Sequence, residues 1–403
     1  MKKVDGLLEE HGRSKIEVYV DWENGNYVPK EVFEAMKPFY LERGFANPAI
    51  THRLGWETYE LYVETKEKLV HPLNISPQDF YITHGLTESN NIAIRGVAKA
   101  NKKRKKIITS SVEHLSIIHS SRFMESQGYK IEEIPVYSNG IIDLDRLQDL
   151  IDEETLIVSV QLANHEIGSI QPLREVIEIV KDKNKDTLVH SDMSAAFGRM
   201  KIDLNELDVD IATFDSSRIL GPKGIGGLFV KEGVHVKPLL EGQLSVEILS
   251  PGVEIMPLIA GFAKAVELQF ENFDEQISNL TKLRNKLLYG LYTSIPRTLI
   301  NGAEGEKRIA DNVNLSFLGC EGEALTVECS MNGIYTSSGS ACSSRILMPS
   351  HILTAIGRRP EEAHGSLLMK ISRLNTEAQI EYILETMPKV VTRLRKITGS
   401  IEL

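Results

Sequence analysis

Apolar runs long enough to cross a bilayer are missing from these 403 residues, so a helical membrane protein is not expected. The opening stretch, MKKVDGLLEEHGRSK, lacks the apolar centre of a secretory signal. Cysteine is scarce. Cys320, Cys329 and Cys342 are odd in number and lack CxxC spacing, which argues against a disulfide framework. Pro/Gly/Ser-rich linkers, low-complexity tracts and internal repeats are absent as well. These absences lead to the expectation of a cytoplasmic protein with reduced thiols. Positive charge is in deficit: 46 Lys and Arg against 56 Asp and Glu leave a net charge of −10. The one basic run, KANKKRKK at 99–106, therefore reads as a solvated helix end, and neither nucleic acid nor a membrane is expected as a direct partner.

What is present is an alternation. Short apolar runs at 79–85, 106–112, 130–136, 155–163, 187–193, 211–217 and 226–230 read as strands, and segments such as TESNNIAIRGVAKANKK between them have helical spacing. The pattern predicts an α/β fold: a mostly parallel mixed sheet buried on both faces and flanked by helices. Beyond residue 260 the texture changes. A helical stretch at 257–295, strands in DNVNLSFLG and IYTSSGSA, and a helix at 376–397 predict a smaller α+β domain. The expected division is a large domain over 14–260 and a small C-terminal domain over 261–403, with residues 1–13 packing alongside. In open α/β sheets ligands sit beyond the carboxyl ends of the strands. Five polar loops fall there: THGLTESNN, SSVEHLS, QLANHEIG, HSDMSAA and FDSSR.

In that order, those loops resemble the cysteine desulfurases of the NifS/IscS family, within the class V aminotransferases. THGLTESNN resembles that family's SGATESNN, LANHEIGSIQP its VNNEIGTIQP, VHSDMSAAFG its HVDAAQAAG, and LGPKGIGGLFV its YGPKGIGALYV. GFANPAITHRLG resembles the early FGNPSSxHxxG, and SSGSACSS the cysteine loop STGSACSS. The match runs from about Val18 to about Arg373. The resemblance implies the type I fold of pyridoxal-phosphate transferases and a homodimer. It also implies conversion of L-cysteine to L-alanine, with the sulfur left as a persulfide on a loop cysteine for an iron–sulfur scaffold or a thiolation enzyme.

Residue by residue, the resemblance assigns Asp192 to the pyridine nitrogen, His114 to the face of the ring and Asn164 to the ring hydroxyl. Gly85, Leu86 and Thr87 open a helix and would cradle the phosphate. Arg373 would grip the substrate carboxylate through a bidentate fork. Cys342, in a small, polar, Gly-containing loop, would carry sulfur as a persulfide or ligate an iron–sulfur cluster; no other metal site is expected. Cys320 and Cys329 read as structural.

The departures sit in one place. The family's lysine, which holds the cofactor covalently, lies 26 residues after the ring-pairing aspartate. Here 192 + 26 gives Arg218, and the following GPKG fixes the register. A guanidinium stays protonated and forms no imine. The His before that lysine is Ser217, the phosphate-binding Ser is Asp215, the Gln facing the ring hydroxyl is Ala195, and the partner subunit's Thr falls near Val253. Early DNAATT reads DWENGN. Lys223 is also matched by a family lysine that is not the reactive one. Asp215 and Arg218, at i and i+3, are expected to pair and fill the vacated positions. The expected function is sulfur trafficking through Cys342 with the lysine-dependent reaction lost. The alternatives are a desulfurase using pyridoxal phosphate noncovalently, or a non-catalytic partner of an active desulfurase.

Overall fold

The computed structural model describes residues 16–243, 245–338 and 349–399. Twelve strands are numbered here in chain order. They are β1 Val18–Tyr19, β2 Phe80–Thr83, β3 Lys106–Ser110, β4 Lys130–Ile134, β5 Thr155–Ser159, β6 Leu188–Asp192, β7 Ile211–Asp215, β8 Gly226–Val230, β9 Thr298–Ile300, β10 Asn312–Phe317, β11 Ile334–Tyr335 and β12 Ser366–Lys370. Strands β2 to β8 form one sheet in the order β2-β8-β7-β6-β5-β3-β4. Only β8 runs antiparallel to its neighbours; the other pairings are parallel. All seven are the apolar runs picked out in the sequence. Their near-continuous apolarity follows from burial on both faces: Ile107, Ile157 and Ile211 enter one core, while Ile108, Val158 and Ala212 enter the other.

A second core surrounds the antiparallel sheet β12-β10-β9 and the helices Phe273–Ser294 and Glu377–Ile397. Thr376 and Gln379 close a capping box on the last of these helices. The helical stretch at 257–295 is two helices, broken at Asn272 in a left-handed conformation (φ 49°). The first, Met256–Phe270, packs into the larger core. The change of core therefore comes near residues 271–272 rather than at 260/261. The start of the chain crosses over too. β1 pairs in parallel with β11, Asp21 bridges to Lys370, and Val18 and Val20 lie in the smaller core. Residues 18–21, allotted to the large domain by sequence, thus form part of the small one. The basic run at 99–106 is tied down by acids: Lys99 pairs with Glu241, Arg104 with Asp186 and Lys106 with Asp152. No helix among the described residues is long and apolar enough to cross a membrane.

Candidate active site

The loops beyond β2, β3, β5, β6 and β7 converge at one sheet edge, because these five strands run in the same direction. At the end of β6, Asp192 is buried. Its Oδ2 accepts from Asn90 Nδ2 at 2.9 Å, and its Oδ1 accepts from the backbone and hydroxyl of Ser194 at 3.0 and 2.6 Å. Asn90 also donates to Ser116 Oγ at 2.8 Å and accepts from Thr213 at 2.6 Å, so one amide ties β6, β7 and the helix Leu115–Ser126 together. His114 caps that helix, with its Nδ1 2.7 Å from Ser116 Oγ. Burial holds the His114 pKa below the ordinary imidazole value. Asp192, Glu23 and Asp215 pull it upward, and Arg218 pushes it further down. The His165 ring stands at 69° to that of His114, with centroids 5.1 Å apart. Burial lowers the His165 pKa well below its usual value.

Asn164 is fully buried and is occupied in shaping its own loop. Its Oδ1 accepts from Glu166 N and Ile167 N at 2.8 and 2.7 Å, and its Nδ2 donates to Val112 O at 3.0 Å. One amide hydrogen remains for a ligand. Gly85, at φ +116° with open space where a side chain would begin, precedes the helix Leu86–Asn91. Thr87 is exposed at its first turn. Val253 is exposed and lines a small cleft with His84, Gly224 and Ser250. Ala195 is buried in the larger core, and Lys223 is exposed on its turn.

The largest correction to the sequence reading concerns Arg218. It does not pair with Asp215. Its Nη1 forms an ion pair with Glu23 Oε1 and donates to Glu23 O at 2.6 Å. Glu23 Oε2 lies 3.0 Å from Lys370 Nζ, Lys370 lies 3.9 Å from Asp311 Oδ1, and Asp311 Oδ2 pairs with Arg199 Nε. Arg199 Nη2 donates to Arg218 O at 2.7 Å, which closes the ring. Five buried or half-buried charged side chains thus hold one another around the position where the resemblance leads to the expectation of a lysine. Burial pushes the Glu23 carboxyl upward, but Arg218 and then Lys370 outweigh it and bring its pKa down to about 2. Burial likewise opposes the charge on Arg218. Glu23 first, then Asp215 and Asp192, raise its pKa above the ordinary value.

Asp215 turns the other way. Its Oδ1 accepts from Ser217 N at 2.7 Å and from Ser217 Oγ at 2.5 Å, and its Oδ2 accepts from Leu86 N at 3.3 Å. Arg373, just beyond β12, has Nε and Nη2 buried with no hydrogen-bond partner among the described residues, and burial lowers its pKa. Cys342 lies outside the described residues. The chain next to it is anchored: Ser350 Oγ donates to Glu166 Oε2 at 2.7 Å, and His351 Nε2 lies 3.0 Å from Glu113 O. Cys320 and Cys329 are buried, and burial pushes the Cys329 thiol up to about 12.

These residues do not fit a lysine-held pyridoxal phosphate. Arg218 cannot form the covalent link and is committed to Glu23. A carboxylate already takes the N–H groups of Leu86 and Ser217. Sequence reasoning missed Glu23, Lys370, Asp311 and Arg199. The available signals were a charged residue inside DWENGN and a lysine ending the apolar strand SLLMK.

The model of the family described as aminotransferase class-V matches residues 18–383. The cysteine desulfurase IscS of Clostridium botulinum is 37% identical over 384 residues, covering 95% of this chain and 96% of the relative. Cysteine desulfurase IscS 1 of Archaeoglobus fulgidus is 39% identical over 381 residues, covering 94% and 98%. A solved structure described as a NifS-like protein superposes with a TM-score of 0.87 at 32% identity, covering 94% of this chain and all of that one.

Proposed function

The chain belongs to the class V aminotransferases, a pyridoxal-phosphate family, with relatives named as cysteine desulfurases; from that premise we propose that it is a sulfur-trafficking protein of desulfurase type whose lysine-dependent reaction is lost. The observation that carries this reading is the Arg218–Glu23 ion pair at the lysine position, backed by Lys370 and Asp311. Fold and function are separable in this way because the fold positions the loops while the chemistry rests on a few side chains.

Cys342 is the sulfur-handling group in this reading. Its thiolate attacks the outer sulfur of a donor persulfide. A bond forms between Cys342 Sγ and that sulfur, the donor's sulfur–sulfur bond breaks, and the donor leaves as a thiolate. The step is an exchange with no net oxidation. The acceptor would be an iron–sulfur scaffold or a thiolation enzyme, and a cluster ligated by Cys342 is the related alternative. Arg373, with its buried unpartnered nitrogens, would bind the carboxylate of L-cysteine or of a similar small acid. The exposed apolar side chains Tyr27, Phe33, Tyr40, Phe45, Trp56, Ile248 and Val253 are candidates for burial in a homodimer.

The test combines two measurements on the purified protein. After incubation with pyridoxal phosphate and cysteine and removal of free small molecules by dialysis, the protein should retain no cofactor band in its visible spectrum, and no alanine should form. Cys342→Ser should abolish sulfur delivery to the acceptor. Delivery that survives this substitution would refute the reading. A second reading, with the cofactor held noncovalently, draws on Asp192, a buried carboxylate held only by neutral donors. Cofactor absorbance together with alanine production would establish it instead.

A further inference from the structure

We infer that Asp215 is a built-in anion that keeps the phosphate cradle of this pocket closed to phosphorylated ligands, an inference that rests on the reading that the lysine-dependent reaction is lost. The sheet edge still has the shape of an anion site. The chain turns at Gly85 with a positive φ that leaves open space, and it enters a helical run from Leu86 to Ala100. Such a turn presents backbone N–H groups and the positive end of the helix dipole. The Asp215 carboxylate sits among those donors, on Leu86 N with one oxygen and on Ser217 N and Oγ with the other. On the other side of Gly85, Glu88 Oε2 accepts from His84 N at 2.5 Å and both Glu88 oxygens accept from Ser250 Oγ at 3.0 and 3.1 Å. One N–H group on each side of the turn, that of His84 and that of Leu86, is thus spent on an acid of the chain itself.

Two consequences follow for a phosphate. It would have to displace the carboxylate from donors that cannot serve both. It would also arrive as a dianion beside a fixed negative charge. Arg218 makes no hydrogen bond or ion pair with Asp215 and is held by Glu23, so its charge, although felt by Asp215, is already shared with a second carboxylate. At Val253 no hydroxyl is available to reach across from a second subunit. Arg373 and its unpartnered nitrogens are untouched by the closure. The cradle therefore refuses a phosphate ester, while Arg373 stays available to a small carboxylate.

The test uses the full chain, with inorganic phosphate and pyridoxal phosphate as probes. Binding is read by equilibrium dialysis and by the phosphate-induced rise in melting temperature. Wild-type protein should bind either probe only weakly. Asp215→Ser, which removes the charge and leaves a hydroxyl donor, should bind both about ten-fold more tightly or better. Asp215→Asn keeps an acceptor for Ser217 N and should gain in the same direction. It carries the test if the serine variant does not fold. Wild-type protein that binds both probes competitively, as tightly as the variants do, overturns the inference. So does a folded variant with no gain in affinity. These outcomes are independent of whether Cys342→Ser abolishes sulfur delivery, so either proposal can fail alone.

Discussion

Replacing Glu23 with Gln removes one charge from the centre of the ring and leaves Arg218 and Lys370 buried beside a neutral amide. Glu23 exposes 5% of its side chain, Lys370 3% and Arg218 13%, so solvent screens this change little. Two routes give the magnitude. The carboxyl falls from 4.5 to about 2 on folding, a difference of about 2.5 units, or about 3 kcal/mol at 1.36 kcal/mol per unit. Removing one partner of a buried pair costs about 3–5 kcal/mol by analogy with other proteins. The two agree. Because the folded pKa is depressed, the stabilisation is complete above the unfolded value of 4.5 and is lost as pH falls towards 2. The difference between wild type and Glu23→Gln, measured as a shift in urea midpoint, should be about 3 kcal/mol near pH 6 and about 1 kcal/mol near pH 3. A difference below about 1 kcal/mol near pH 6, or one that does not shrink towards pH 3, would refute the view that the ring is a coupled ionic unit.

Other substitutions test other parts of the structure. Arg218→Lys alone should give no borohydride-trapped adduct with pyridoxal phosphate, because Glu23 would hold the new ammonium protonated as an ion pair. The triple variant Glu23→Ala, Asp215→Ser, Arg218→Lys should give one, read by mass spectrometry of the reduced protein. Glu113 is buried, its Oε2 has no hydrogen-bond partner among the described residues, and burial raises its carboxyl to about 8. A raised folded value makes wild-type stability fall between pH 4.5 and 8, so Glu113→Gln should be more stable than wild type near pH 8, by a few kcal/mol at most, and similar to it near pH 5. Equal urea midpoints at both pH values would count against the raised value. Iodoacetamide at mildly alkaline pH should label Cys342 well before Cys329, whose thiol is pushed up to about 12 by burial, and peptide mapping reads the order.

How much of this was legible in the sequence depends on the range over which each feature is encoded. The seven strands of the main sheet were legible because burial on both faces writes a local apolar run into each of them. The polar loop ends were legible because they follow those runs directly. β9 and β12 were missed. β12 is SLLMK, five residues closed by a lysine, and nothing local says that the lysine is buried. The 257–295 stretch read as one helix because apolar spacing continues across residues 271–272, where only the backbone of Asn272 marks the break. The expected Asp215–Arg218 pair failed for a similar reason. Spacing of i and i+3 suits a pair on an α-helix. Here Asp215 caps a short 3-10 turn with its own carboxylate, and Arg218 leaves on the other side towards a residue 195 positions earlier in the chain.

Glu23, Arg199, Asp311 and Lys370 lie on four separate segments, and only the register of the folded chain brings them together. Asp21 bridges to Lys370, and Asn312, next to Asp311, pairs with Lys370 across β10 and β12. Each looks arbitrary alone and necessary in company. A buried Arg218 needs a carboxylate, which Glu23 supplies. Glu23 has a second oxygen, which Lys370 meets. Lys370 and Arg199 are two further buried cations, and Asp311 lies between them. An unmatched buried charge would cost several kcal/mol. Here three cations, Arg218, Lys370 and Arg199, share the two carboxylates of Glu23 and Asp311, so each acid serves two cations. Glu23→Gln and Arg218→Met should each destabilise strongly, while the double variant should cost less than their sum by more than about 1 kcal/mol. Additive costs would mean that the two side chains do not support each other.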